Sequence, residues 1–197
     1  MVKVLPRGRQ VKARALQSSA ILLAVMVAGP AFAQCTPDPT QANTTTTCTG
    51  TDSNGLTVTT SGSTVNVASG ATVTNSGGPA IAFAMPTPNG FAYSTLTVGG
   101  RVDGGAQAGV QLIRQSPGNN YFSSSTSLTM TVAAGGSVSG TNGIVVGQVG
   151  TGYGSTTASI DNSGTISGTG TGTNGYALLS TNQSYAGFSA ITNRTGA

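Results

Sequence analysis

Histidine, tryptophan and glutamate are absent from this 197-residue chain, and only 6% of its positions are charged. Ser-His-Asp and Cys-His triads, His-ligated zinc and Glu-based acid/base pairs are therefore excluded, because each needs a side chain that is missing. Aromatic residues are scarce at 5%, cysteines number two, and the strong helix formers thin out after residue 33. Gly (30 positions), Thr, Ser and Asn take their place, which argues against a helical bundle and for β-structure. The length suits one domain of ordinary size.

A net charge of +4 suggests a nucleic-acid or membrane partner until it is located along the chain. Lys3, Arg7, Arg9, Lys12 and Arg14 all fall in the first fourteen residues. Beyond them Arg101, Arg114 and Arg194 face Asp38, Asp52, Asp103 and Asp161, a net of −1. No basic patch remains, so no nucleic-acid partner is expected.

The basic stretch runs into an apolar segment at 20–29, then Pro30 and Ala31-Phe32-Ala33. A charged start, a short apolar run and an A-x-A site form a secretory signal peptide, 1–33, with cleavage expected after Ala33. The apolar run is shorter than the roughly 20 residues that span a bilayer. Gln34 before Cys35 argues against a lipoprotein, and no Arg-Arg pair marks twin-arginine export, which leaves the general secretory pathway. Export takes Cys35 and Cys48 into an oxidising compartment, where a disulfide is expected. A metal or redox pair is the weaker alternative, since C-x-x-C spacing and a His partner are lacking. The bridge would stabilise the fold by about 3 kcal/mol and tie a cap over 34–55 that covers the raw first edge of the β-structure.

From residue 56 to 197 apolar residues alternate with small polar ones, as in Leu96-Thr97-Val98 and Leu128-Thr129-Met130-Thr131-Val132. Period two in β-branched residues predicts strands. Aligning Val67, Val98, Val132, Ile160 and Ile191 gives steps of 31, 34, 28 and 31 residues. A second strand carries Val73, Val102, Val138 and Ile166; a turn with Asn or Asp beside Gly follows; a third strand begins at Ile81, Val110, Ile144 and Tyr176. One such unit cannot bury its apolar side alone, but stacked copies can. The expected fold is all-β: a right-handed parallel β-helix, or solenoid, with repeats of about 31 residues and three short strands in each. A β-sandwich of hairpins does not need the constant period, and a mucin-like disordered chain does not explain the alternation.

Ile160-Asp161-Asn162-Ser163-Gly164-Thr165-Ile166-Ser167-Gly168, echoed by Ile191-Thr192-Asn193-Arg194-Thr195-Gly196, resembles the degenerate N-x-G-x-I-x-G repeats of bacterial autotransporter passengers. The likeness covers most of residues 50–197. It implies a Gram-negative, type V secreted protein whose passenger reaches the outer-membrane surface or the extracellular space through a β-barrel translocator. No run of lipid-facing barrel strands is present, so the chain reads as an N-terminal passenger fragment, truncated at its C-terminus. Without a translocator it would stay periplasmic. Two-partner exoproteins are the near alternative, their N-P-N-G signature being only approximated by Thr87-Pro88-Asn89-Gly90.

Polysaccharide-cleaving β-helices need clustered carboxylates or a Lys/Arg base, and here Asp103 follows a second strand while Asp161 follows a first. No catalysis, cofactor or metal is expected. An adhesin or a passive stalk is the expected function; the stalk of a polysaccharide-active or proteolytic exoprotein is the alternative. Tyr93, Tyr121, Tyr153 and Tyr185 lie 28, 32 and 32 residues apart, close to the repeat, with Phe91, Phe122 and Phe188 nearby. Stacking would align these loop aromatics as a stripe for a surface glycan or for a host or neighbouring-cell protein, unless they fold back over the core. Asn162 and Asn193 share a register position and are expected either to bond to each other or each to satisfy its own turn.

Overall fold

In a computed structural model, residues 34–85, 90–115, 125–149, 154–172, 174–181 and 186–194 are described. They contain strands and turns but no helix. The signal-peptide segment 1–33, with Ala33, lies outside them.

The strands, in chain order, are β1 (Cys35–Thr36), β2 (Thr45–Cys48), β3 (Thr51–Asp52), β4 (Leu56–Val58), β5 (Ser63–Val67), β6 (Thr72–Thr74), β7 (Ile81–Phe83), β8 (Phe91–Val98), β9 (Arg101–Asp103), β10 (Ala108–Gln115), β11 (Ser125–Val132), β12 (Ser137–Gly140), β13 (Asn142–Val149), β14 (Thr156–Asn162), β15 (Thr165–Gly168), β16 (Leu178–Ser180) and β17 (Ala186–Asn193). From β2 onward every third strand pairs in parallel, so the chain winds into a β-solenoid with three sheets. The first sheet runs β1-β2-β5-β8-β11-β14-β17, the second β3-β6-β9-β12-β15 and the third β4-β7-β10-β13-β16. Among these strands only β1 against β2 is antiparallel.

Alternation along each strand explains why the coil closes. In β5 and β14 every second residue is buried, and valine, leucine and isoleucine from all three sheets meet inside. Each such side chain, fully buried, contributes roughly 1.5–3 kcal/mol. The second-strand column is Val73, Val102, Val138 and Ile166 in direct register.

Two register expectations are corrected. Val132 pairs with Asn162, and Ile160 pairs with Met130, so that step is 30 residues and not 28. In the third sheet Ile144 pairs with Leu178, two residues beyond Tyr176. Both differences are slips of two residues, which keep the same side chains inward and are therefore silent in the hydrophobic pattern. Strand lengths differ too: β8, β10, β11, β13 and β17 have eight residues each, so only the second strands are uniformly short.

The coil also starts earlier than residue 56. β2 pairs in parallel with β5, placing Cys48 beside Val67, and β3 pairs with β6. Of the segment 34–55, β1 and the turn after it cover the first-sheet edge, while β2 and β3 already belong to the first coil. The Cys35–Cys48 disulfide is buried in the core and holds β1 down. Asp52, itself buried, reinforces the joint: it accepts hydrogen bonds from the backbone N–H of Cys35 (3.2 Å), Asn54 (2.9 Å) and Gly55 (3.1 Å).

The corner between the first and second strands is tight enough to dictate its residues. A Cβ at Gly100 would overlap the carbonyl oxygen of Ala71, one at Gly136 that of Val98, and one at Gly164 that of Gly136. Rungs stacked about 4.8 Å apart leave no room there for a side chain.

Candidate functional site

Among the described residues the outer face of the first sheet carries two regular columns of small polar side chains. Following the strand register, Thr45, Thr64, Thr95, Thr129 and Ser159 succeed one another down the stack. Two residues along, Thr47, Asn66, Thr97, Thr131, Asp161 and Thr192 form a second column. All are exposed or half-exposed. Strand geometry spaces the rungs by about 4.8 Å and the columns by about 6.7 Å. Threonine favours this place because its branched Cβ packs on a pleated surface while its hydroxyl stays in solvent.

At one end of this face Phe91 and Tyr93 project from β8, 83% and 59% exposed. They extend a strand and do not sit in the loop expected for them. The backbone of Tyr93 is held on both sides: its N–H donates to Ser61 Oγ (3.1 Å) and its carbonyl accepts from Gly62 N–H (2.7 Å). Tyr121, Phe122, Tyr153 and Tyr185, the other members of the expected stripe, lie outside the described residues. Phe188 is half-buried, packed on the core, and pairs with Ala158, an inward position. Tyr93 and Phe188 thus occupy opposite faces of one sheet and do not share a stripe.

The carboxylates are dispersed. Asp103, on the second sheet, is bound to Arg101 and accepts Gly105 N–H at 3.0 Å. Asp161, on the first, takes a two-pronged bond from Arg194, Nε to Oδ1 and a terminal nitrogen to Oδ2, both 2.6 Å. That hydrogen-bonded guanidinium holds the Asp161 carboxyl below the usual carboxylate range, and the carboxylate raises Arg194 in turn. Among the described residues no three His, Cys, Asp or Glu side chains gather as metal ligands.

Beside the third sheet a shallow groove of about 320 Å³ is lined by Val145 and Leu179 together with Gln107, Gln111, Asn142 and Asn174. Asn142 is fully engaged on its acceptor side, its Oδ1 receiving the N–H groups of Gly175 and Tyr176 at 3.1 Å.

Two features escape the sequence pattern. The Thr columns are signalled by the repeated T-x-T triplets at 45–47, 95–97 and 129–131, but only once those are set in register. Arg114 counts by its chemistry as a surface charge, whereas it points inward from β10 and is 0% exposed. The chain matches no known family, no curated protein and no solved structure.

Proposed function

We propose that this chain is an exported, non-catalytic β-solenoid of the adhesin or structural type, a passenger segment that meets its target through the outer face of its first sheet. The observation that carries the reading is the unbroken column of hydroxyls Thr45, Thr64, Thr95, Thr129 and Ser159, flanked by exposed Phe91 and Tyr93. Neutral donors and acceptors at fixed spacing, beside two exposed aromatic rings, suit sugar rings or a polar protein surface; they offer little to a strongly charged partner. The basic, apolar and A-x-A order of residues 1–33 supports export, and the resemblance to autotransporter repeats supports a β-barrel translocator as the secretion partner.

Attachment of the purified chain to glycan arrays and to host or neighbouring cells tests the reading. Replacing Phe91 and Tyr93 by Ser together with Thr95 and Thr129 by Lys should reduce attachment at least tenfold with an unchanged circular-dichroism spectrum. Attachment that survives these four changes, or a wild-type chain that binds none of these surfaces, would leave a passive stalk as the better description.

A further inference from the structure

Two apolar side chains stand on the outside of the third sheet. Val145 pairs in register with Leu179, and Gln111 precedes them in the same outward column, between the inward-facing Val110 and Leu112. The outward columns of the first sheet are built mainly of threonine. Val145 lies outside the core cluster, yet its neighbours on the surface cover it to 8% exposure. A valine and a leucine turned outward on adjacent rungs make an apolar floor that closing the core does not require.

The floor is walled by the turns that lead into the third strands. Thr141 N–H is shared between the carbonyls of Gly105 (2.9 Å) and Gln107 (2.8 Å), and its own carbonyl accepts Gly170 N–H (3.1 Å). The turns of three successive rungs are thereby tied into one stack, which carries Gln107, Thr141 and Asn174 along the groove. Asn142, only 9% exposed, fixes the last of them through its bonds to the N–H groups of Gly175 and Tyr176. The enclosed space of about 320 Å³ lies at the small end of the range for ligand sites.

The lining also states what kind of ligand it takes. Among the described residues none of the side chains around the groove is charged, so an ionic ligand finds no counter-charge there. The side-chain amides of Gln107, Gln111 and Asn174 make no hydrogen bond to other described residues, and each keeps one acceptor and two donors. An extended peptide is held through the open backbone groups of a strand edge, but β13 is already paired on both sides, with β10 and β16. A sugar ring has an apolar C–H face and a rim of hydroxyls. Its face suits the Val145–Leu179 floor, and an amide can accept from one hydroxyl while donating to the next. Rungs about 4.8 Å apart repeat this offer at close to the length of one ring.

We infer that the groove between the second and third sheets is a binding site for a neutral oligosaccharide. One or two rings lie along the stack over Val145 and Leu179, and the amides of Gln107, Gln111 and Asn174 bind their hydroxyls. This site is on a different sheet from the threonine columns, so it stands or falls separately from them.

The test is titration of the isotope-labelled full chain, followed by amide NMR signals, with cellotetraose, maltotetraose, galactotetraose and mannotetraose. Tetragalacturonic acid serves as the charged counterpart. At least one neutral sugar should shift the side-chain amide signals of Gln107, Gln111 and Asn174 and the backbone signal of Val145, saturating with a Kd of about 0.1–5 mM, as suits a shallow groove. The uronate should leave them in place. Gln107→Ala, Gln111→Ala and Asn174→Ala together should weaken binding at least tenfold, with Tm held within about 2 °C because these amides support nothing else. Phe91→Ser, Tyr93→Ser, Thr95→Lys and Thr129→Lys together should leave the affinity unchanged. Failure of all four neutral sugars to move the groove signals at about 10 mM would overturn the inference. So would equal binding of the uronate, undiminished binding by the triple variant, or loss of binding through the first-sheet changes.

Discussion

Asn162 donates from Nδ2 to Oδ1 of Asn193, one rung away, at 2.7 Å, while its own Oδ1 accepts the N–H of Gly164 at 3.1 Å. The two roles expected as alternatives for this residue are therefore filled at once. Asn162 stands where Cys48, Val67, Val98 and Val132 stand in the earlier rungs, so an amide continues a column of apolar side chains. Asn162→Ala leaves the Gly164 N–H without its acceptor and should cost about 1–3 kcal/mol in urea unfolding. Asn193→Ala removes only the outer member and should cost less than half as much.

The disulfide closes a loop with a sequence separation of 13 and pins β1, the one antiparallel strand among the described residues. Replacing Cys35 and Cys48 together by Ala should lower stability by about 3 kcal/mol in denaturant titration. A reducing agent should reproduce that loss in the parent chain and leave the double variant unaffected.

Gly135 and Gly136 are neighbours with opposite reasons for lacking a side chain. Gly135 has φ +82° with open space where a methyl would go, whereas a methyl at Gly136 would overlap a carbonyl oxygen. Gly135→Ala should therefore cost about 1–2 kcal/mol through the left-handed backbone. Gly136→Ala forces the rungs apart and should exceed about 3 kcal/mol, or prevent folding, as judged by expression and thermal melts.

The second-strand column is readable from Val73 onward because Val73, Val102, Val138 and Ile166 are all apolar and the turns on either side carry glycine; its first member, Asp52, is charged and is not seen in the pattern. Ile160 misleads for the opposite reason: Asn162, a polar residue, takes the inward place, so the nearest isoleucine looks like the match. Tyr176 misleads in the same way, standing 48% exposed just ahead of the strand that begins at Leu178. Arg114 cannot be placed inside from sequence, since the interior normally rejects a cation and nothing in Leu112-Ile113-Arg114-Gln115 overrides that expectation. The outer hydroxyls are hidden by their abundance. Threonine occurs so often in this chain that only strand register separates those aligned on one face from the rest.

Asp161 provides a pH signature. Its pKa is depressed in the folded state by Arg194, so the ion pair stabilises the fold above the unfolded carboxyl value of about 3.9 and is lost as pH falls through the lower folded value. Comparing the chain with Asp161→Asn from pH 7 to pH 2, the Tm difference should be constant at the upper end and vanish at the acid end. Because both partners are exposed, 0.5 M salt should shrink that difference at every pH.

The ladder bonds that join one rung to the next all point along the stacking direction, and the strands lie across it. Tension applied along that direction would open the bonds of a single rung at a time, like a zip, at low and repetitive force. Tension applied along a strand would instead load the bonds of both neighbours together in shear. A β-solenoid built this way yields gradually to a pull along its stack and resists one dragged sideways.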